Sequence, residues 1–238
     1  MTAKSSFRPK LPIDLYALTA LDIERYAGEQ TLGMRPPIDP LLGRAIRPVA
    51  PQSIAESEVQ SLIVRLIAVA SGQQQSGMNI KTGRMLVGLA APQVGEDWQI
   101  IVIDTKVRAD RKKPGKLEAF INPEIIWRSR ETEEAREGCF SAGPVWGLVR
   151  RSVAVKIRAL SVEGKPVERI FEGFTARIVQ HEIDHLHGVR FPDRIKSDKK
   201  RHWVHSEELA DYPEHIHHWP RLCSVQRWED FKHGTIKP

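Results

Sequence analysis

The chain has 238 residues, of which 41% are hydrophobic and 28% charged, the ordinary balance of a globular protein in water. Its longest apolar runs, such as "IIVID", are too short to cross a bilayer as a helix, so no membrane partner is expected. A formal charge of +6 permits contact with RNA-rich partners but identifies none. No basic run is interleaved with aromatics, so no specific nucleic-acid binding is expected.

The opening "MTAKSSFRPK" is basic and lacks the apolar core of a secretory signal. Acidic residues follow at Asp14, Asp22, Glu24 and Glu29, which favours a cytoplasmic home over an organellar transit peptide. Two cysteines, Cys139 and Cys223, cannot build a disulfide framework. A reducing compartment and a ligand or catalytic cysteine fit better. Cys223 has no motif around it and reads as structural.

Residues 1 to about 52 are rich in proline and read as an extended lead-in. Ser53 and Glu56 form a capping-box signal, and Val59, Leu62, Ile63, Leu66, Ile67 and Ala70 repeat at helical spacing behind it. This predicts an amphipathic helix over 54–71. "SGQQQSGMNIKTG" is a polar loop, "QIIVID" (99–104) a buried strand, and "KVRADRKKPGK" a basic loop. Strands are expected at 118–122 and 124–129. Val153, Val155 and Ile157 alternate with polar neighbours, and "VEGKP" turns the chain into Val167, Ile170 and Phe171, a hairpin signal. A helix of about 174–187 follows Gly173 and is closed by Gly188. The last 45 residues are rich in tryptophan, histidine and both charges. The outline is α+β.

The second helix carries "QHEIDHLHG". Residues i and i+4 share a helix face, so His181 and His185 can hold one ion with Glu182 beside it. A catalytic site needs a third protein ligand. A thermolysin-like peptidase would use a downstream glutamate such as Glu207. The metzincin pattern fails, because Phe191 stands where a histidine is needed and no methionine follows Met85. Cys139 in "REGCFSAG" is the third candidate, since a Cys-His-His shell suits iron(II) or zinc.

"LVGLAAPQ" (86–93), "EGCFS" (137–141) and "HEIDH" (181–185) occur in the order of the three motifs of peptide deformylases, and the chain resembles that family from about 37 to 193. "ARIVQHEIDHLHG" is similar to the organellar-type branch. The resemblance implies antiparallel sheets around a central helix that carries the His-Glu-His motif. It implies Cys139, His181 and His185 as metal ligands and Glu182 as general acid/base. It assigns the oxyanion to the Gln93 side chain and the Phe140 backbone N–H. Gly88 would lie where the substrate peptide pairs, and Val87, Phe174 and Ile178 are candidate walls of a methionine pocket. The implied reaction is hydrolysis of the formyl group of N-formylmethionyl peptides, with one divalent metal, iron(II) ahead of zinc. The ribosome is a candidate partner by the same resemblance, although the basic C-terminal helix that contacts it in bacterial members is replaced here by "HWVHSEELADYPEHIHHWPRLCSVQRWEDF".

Departures bear on the cleft. Leu86 replaces the first glycine of the first motif and could narrow the site. "AGPVWGLVRR" replaces the usual segment after the cysteine motif and should line one wall. Arg177 shares a helix face with His181 and has two expected fates: a place in or near the pocket, or, more commonly, a packed stem with its head in water. Asp184 lies off the metal-facing stripe and is expected to pair with Arg151. His215, His217 and His218 form a surface cluster that could be a second metal site. Residues 1–36 and 195–238 are read as extensions on a 37–194 catalytic domain. Besides the peptidase, the alternatives are an amidase for a dedicated formylated metabolite and a non-catalytic binding descendant.

Overall fold

The computed structural model describes residues 33–72, 86–107 and 115–237. Most of the polar loop after residue 72, most of the basic loop after residue 107, and the first 32 residues lie outside them. Two antiparallel sheets form the frame. The larger is ordered β1-β2-β3-β6-β7, built from β1 (Gly88–Ala90), β2 (Ile100–Asp104), β3 (Leu117–Arg128), β6 (Ala154–Leu160) and β7 (Pro166–Glu172). The smaller is ordered β4-β5-β8, built from β4 (Thr132–Gly138), β5 (Val145–Ser152) and β8 (Arg201–Trp203).

β2 explains the layering. All of "IIVID" is buried because helices cover both faces of the larger sheet. Ile100 and Val102 pack with Leu62, Ile63 and Leu66 of α1 (Ser57–Ala70). Ile101 and Ile103 pack with Ile178, Val179 and Ile183 of α2 (Gly173–Leu186). Period-two alternation sends successive side chains to opposite layers. The far side of α2 faces the smaller sheet. The ligand helix is therefore central, with apolar contacts on one side and a polar seam on the other.

Three local expectations are corrected. Ser53 does not cap α1: Pro51–Ser53 is a 3-10 turn, and Glu56 is the residue that precedes the helix. The proline fixes that turn and delays the start of the helix. The strands expected at 118–122 and 124–129 are one strand, irregular between Ile121 and Glu124. Asn122 takes φ 50, and its side chain bonds both backbone groups of Val49, at 2.8 and 2.7 Å. Leu86 packs against the α1 core rather than narrowing the cleft.

Gly188 closes α2 as expected, with φ +69. A Cβ there would also lie 2.5 Å from the Arg44 backbone nitrogen, so only glycine fits. The residues after 194 are built into the fold. β8 pairs with β5, and Trp203, Trp228 and Phe231 share a core with Val145, Val149 and Phe191. Two further helices belong to this part, α3 (Tyr212–His215) and α4 (Val225–Lys232). Ser224 caps α4 by accepting the Arg227 N–H at 3.1 Å.

Candidate metal centre

β4 ends at Gly138, and Cys139 continues in extended backbone before a tight turn over Phe140–Ala142. The turn is closed by Ala142 N–H to the Cys139 carbonyl and by Gly143 at φ +57. This aims Cys139 at α2, where Sγ lies 3.5 Å from His185 Nε2. The His181 and His185 rings stand 5.0 Å apart, one helical turn from each other. One ligand atom from each of Cys139, His181 and His185 falls within 4.8 Å of the others. Among the described residues this is the group of His, Cys, Asp and Glu that meets such a test.

Glu137 sets the imidazole. It lies two residues before Cys139 on β4, so period-two alternation turns both side chains to α2. Glu137 Oε2 accepts from His181 Nδ1 at 2.9 Å, which leaves Nε2 of His181 for an ion. Arg151 donates to both oxygens of Glu137 at 2.6 and 2.8 Å, and Arg177 donates to Oε1 at 2.8 Å. Burial pushes the Glu137 carboxyl up, but Arg151 and His181 outweigh it and hold it well below the usual carboxylate range. Arg151 also donates to Asp184 at 2.8 Å, the pair expected from the sequence. Arg194 closes on the other Asp184 oxygen at 2.6 Å.

Arg177 takes the less common of its two expected fates, beside the site. Its head does not reach water: it is 5% exposed and donates to Glu137, to the Val149 carbonyl and to the Glu133 carbonyl. Glu137 as the partner of His181 was not anticipated either, although its spacing from Cys139 carries the signal.

Glu182 is buried, and its Oε2 has no hydrogen-bond partner. Burial pushes its carboxyl up to about 7, against the pull of His181 and Arg151. Gly88 on β1 presses on it: a Cβ at 88 would lie 2.5 Å from Glu182 Oε1 and 2.7 Å from Ile178 Cγ2. Burial, then the nearby His181, Arg190 and Arg151, hold His185 well below its ordinary range, so it is neutral and able to ligate. Gln93 follows β1 in a tight turn. Its Oε1 accepts the Ala90 N–H at 2.8 Å, which turns Nε2 toward Cys139 Sγ at 3.3 Å and Ser141 Oγ at 3.4 Å.

The structure thus brings Cys139, His181, His185, Glu182, Gln93 and Gly88 together. Val87 and Ile178 pack in one apolar cluster beside them. Phe140 and Phe174 are 42% and 47% exposed. Glu207 is not gathered with the histidines; it is exposed and bonds Ser206 Oγ at 3.2 Å. His215, His217 and His218 assemble no ligand group among the described residues. Cys223 is fully buried among Val145, Trp203 and Trp228, the structural role expected.

The donor set fits a divalent ion: a thiol sulfur and two imidazoles converge, one imidazole is oriented by a carboxylate, and a buried carboxylate oxygen beside them has no other partner.

The polypeptide deformylase family model matches residues 37–201. A curated peptide deformylase from Desulforudis audaxviator is 39% identical over 166 residues, covering 68% of this chain and 92% of its own. A class I type b peptide deformylase from Acinetobacter baumannii, solved with Met-Ala-Ser bound, is 30% identical with TM-score 0.60, covering 70% of this chain and 99% of that one. The peptide deformylase of Thermotoga maritima is 32% identical with TM-score 0.58, covering 71% of this chain and 100% of that one. With the three motifs on one site and the family match across most of the fold, this chain belongs to the polypeptide deformylase family.

Proposed function

We propose that the protein removes the formyl group from N-formylmethionyl peptides of nascent chains, releasing formate and a free amine. The observation that carries this is the Cys139–His181–His185 ligand set between Glu182 and Gln93. Cys139, His181 and His185 would hold a divalent ion, which would supply Lewis-acid chemistry, polarisation of the formyl carbonyl and acidification of water. We assign iron(II) rather than zinc, since the mixed sulfur and nitrogen shell accommodates both and the family likeness favours iron.

The chain's own residues supply the rest. Glu182 takes a proton from the attacking water and returns it to the leaving amine. Its burial keeps a carboxyl near neutrality, where it can do both. Gln93 Nε2, fixed by the Oε1 bond to Ala90, is a preorganised donor for the charge that develops on the formyl oxygen, with the Phe140 N–H as the second. Glu137 keeps His181 in the tautomer that ligates. Gly88 leaves β1 open to the peptide backbone, and Val87 and Ile178, with Phe174 at the rim, accept the methionine side chain. Likeness to a relative that binds Met-Ala-Ser supports a peptide substrate.

Metal content and turnover of formyl-Met peptides in Cys139→Ala test the reading. It expects both to be lost. A variant that keeps its metal undiminished would overturn Cys139 as a ligand and with it the proposed centre.

A further inference from the structure

The family match ends at residue 201, yet α4, at residues 225–232, reaches the turn that follows the cysteine ligand. Trp228 and Phe231 of α4 are 0% and 2% exposed. The Trp228 indole N–H donates to Asp193 Oδ1 at 2.6 Å, while Asp193 Oδ2 accepts the Arg190 backbone N–H at 2.8 Å. Above the Trp228 ring lies the Arg190 guanidinium, 4.9 Å from the ring centroid. Arg190 is itself buried and donates to the carbonyls of Ser141, at 3.2 Å, and Pro37. Phe231 meets the turn directly: a Cβ on Gly143 would lie 2.7 Å from its Cζ. Ser141 and Gly143, both in the turn after Cys139, are therefore held from the same helix.

The held turn bears on the chemistry. Ser141 Oγ accepts from Gln93 Nε2, and that nitrogen also points at Cys139 Sγ. An aliphatic residue at 190 would fill the space without burying a cation, which is costly. The guanidinium offsets that cost with directional bonds to carbonyls and with an aromatic face. We propose that α4 is a positioning element of the active site: Trp228 seats Arg190, and Arg190 with Phe231 fixes the 140–143 turn, and through it Cys139 and Gln93. Arg190 and Trp228 are positioning residues.

The kinetic arm of the test rests on the deformylase reading, while the exchange arm does not. Amide hydrogen exchange of the 139–143 segment is followed in metal-free full-length protein for Arg190→Met, Arg190→Lys and Trp228→Leu. The proposal expects faster exchange there in Arg190→Met and Trp228→Leu, with partial restoration in Arg190→Lys. In cobalt(II)-loaded protein the thiolate charge-transfer band should shift in the same two variants. Turnover should fall ~10-fold with KM little changed, as small misplacements of catalytic groups do. Arg227→Ala is the control, because Arg227 sits on the same helix but stacks on Trp203, 3.9 Å from its centroid. It should lower Tm and leave exchange, band and kcat alone. If Trp228→Leu fails to fold, Trp228→Phe, which keeps a ring and loses the Asp193 bond, takes its place in each assay. A fall in Tm with unchanged exchange at 139–143 and an unchanged cobalt band would overturn the proposal. Absence of turnover in the parent chain would remove the deformylase reading alone, and the exchange result would still decide the role of α4.

Discussion

Glu182 and Asp184 stand two apart on one helix and meet opposite fates. Glu182 has a buried oxygen with no partner and a carboxyl raised to about 7, whereas Asp184 is closed between Arg151 and Arg194. A residue that moves protons needs the first environment, and one that ties elements together needs the second. Glu182→Gln should keep the metal and lose ~10²-fold or more in turnover. Loss of the ion by elemental analysis, or near-normal turnover, would remove the acid/base role. The Asp184–Arg151 pair is expected to be coupled. Breaking a buried pair on one side costs ~3–5 kcal/mol, against ~1 kcal/mol or less for an exposed one. Arg151→Met should be the worse single change, because it also strips Glu137 of two bonds. Thermal unfolding of Asp184→Asn, Arg151→Met and the double variant should be clearly non-additive, and simple additivity would show no tie.

Elements place these residues, and their legibility in the sequence was uneven for physical reasons. α2 could be read from its 3.6-residue period and from Gly173 and Gly188 at its ends. β6 could be read because one face of it is apolar, and β7 from the turn before it, with Val167 and Phe171 on the core side and Ile170 exposed. β4, "TEEAREG", could not: its inward face carries a carboxylate matched to arginines on β5 and α2, so it shows no apolar alternation. The fate of Arg177 could not be chosen for the same reason, since its partner Glu137 lies forty positions away and meets it only through β4–β5 pairing. The metal ligands were legible because motif order survives in sequence; the cations that hold Glu137 charged depend on register, which does not. Between elements at the site, β1 approaches α2 closely at Gly88. Gly88→Ala should displace the Glu182 carboxylate and the Ile178 methyl, lowering kcat at least ~10-fold. Unchanged turnover with a native Tm would mean that the β1–α2 contact relaxes freely.

At the scale of the whole molecule, α2 joins the two sheets, and the residues after 194 complete the smaller one. The chain should therefore unfold as one cooperative unit, with far-UV circular dichroism and tryptophan fluorescence giving coincident transitions. An earlier fluorescence transition would mark the tryptophan-rich C-terminal part as a separate appendage. Both transitions should move to lower temperature together when the metal is chelated, because an ion bound only to the folded state stabilises it by ~2.7 kcal/mol at a hundredfold excess over Kd.

The central claim is that this assembly carries out formyl hydrolysis at the Cys139–His181–His185 centre. Its most direct test is formate release from a formyl-Met peptide by anaerobically prepared, iron(II)-loaded protein, measured alongside the appearance of free amine. The account predicts formate and amine in equal amounts, with both abolished in Glu182→Gln that retains its metal. Cleavage within the peptide without formate, or no reaction at all by fully metal-loaded protein, would contradict it.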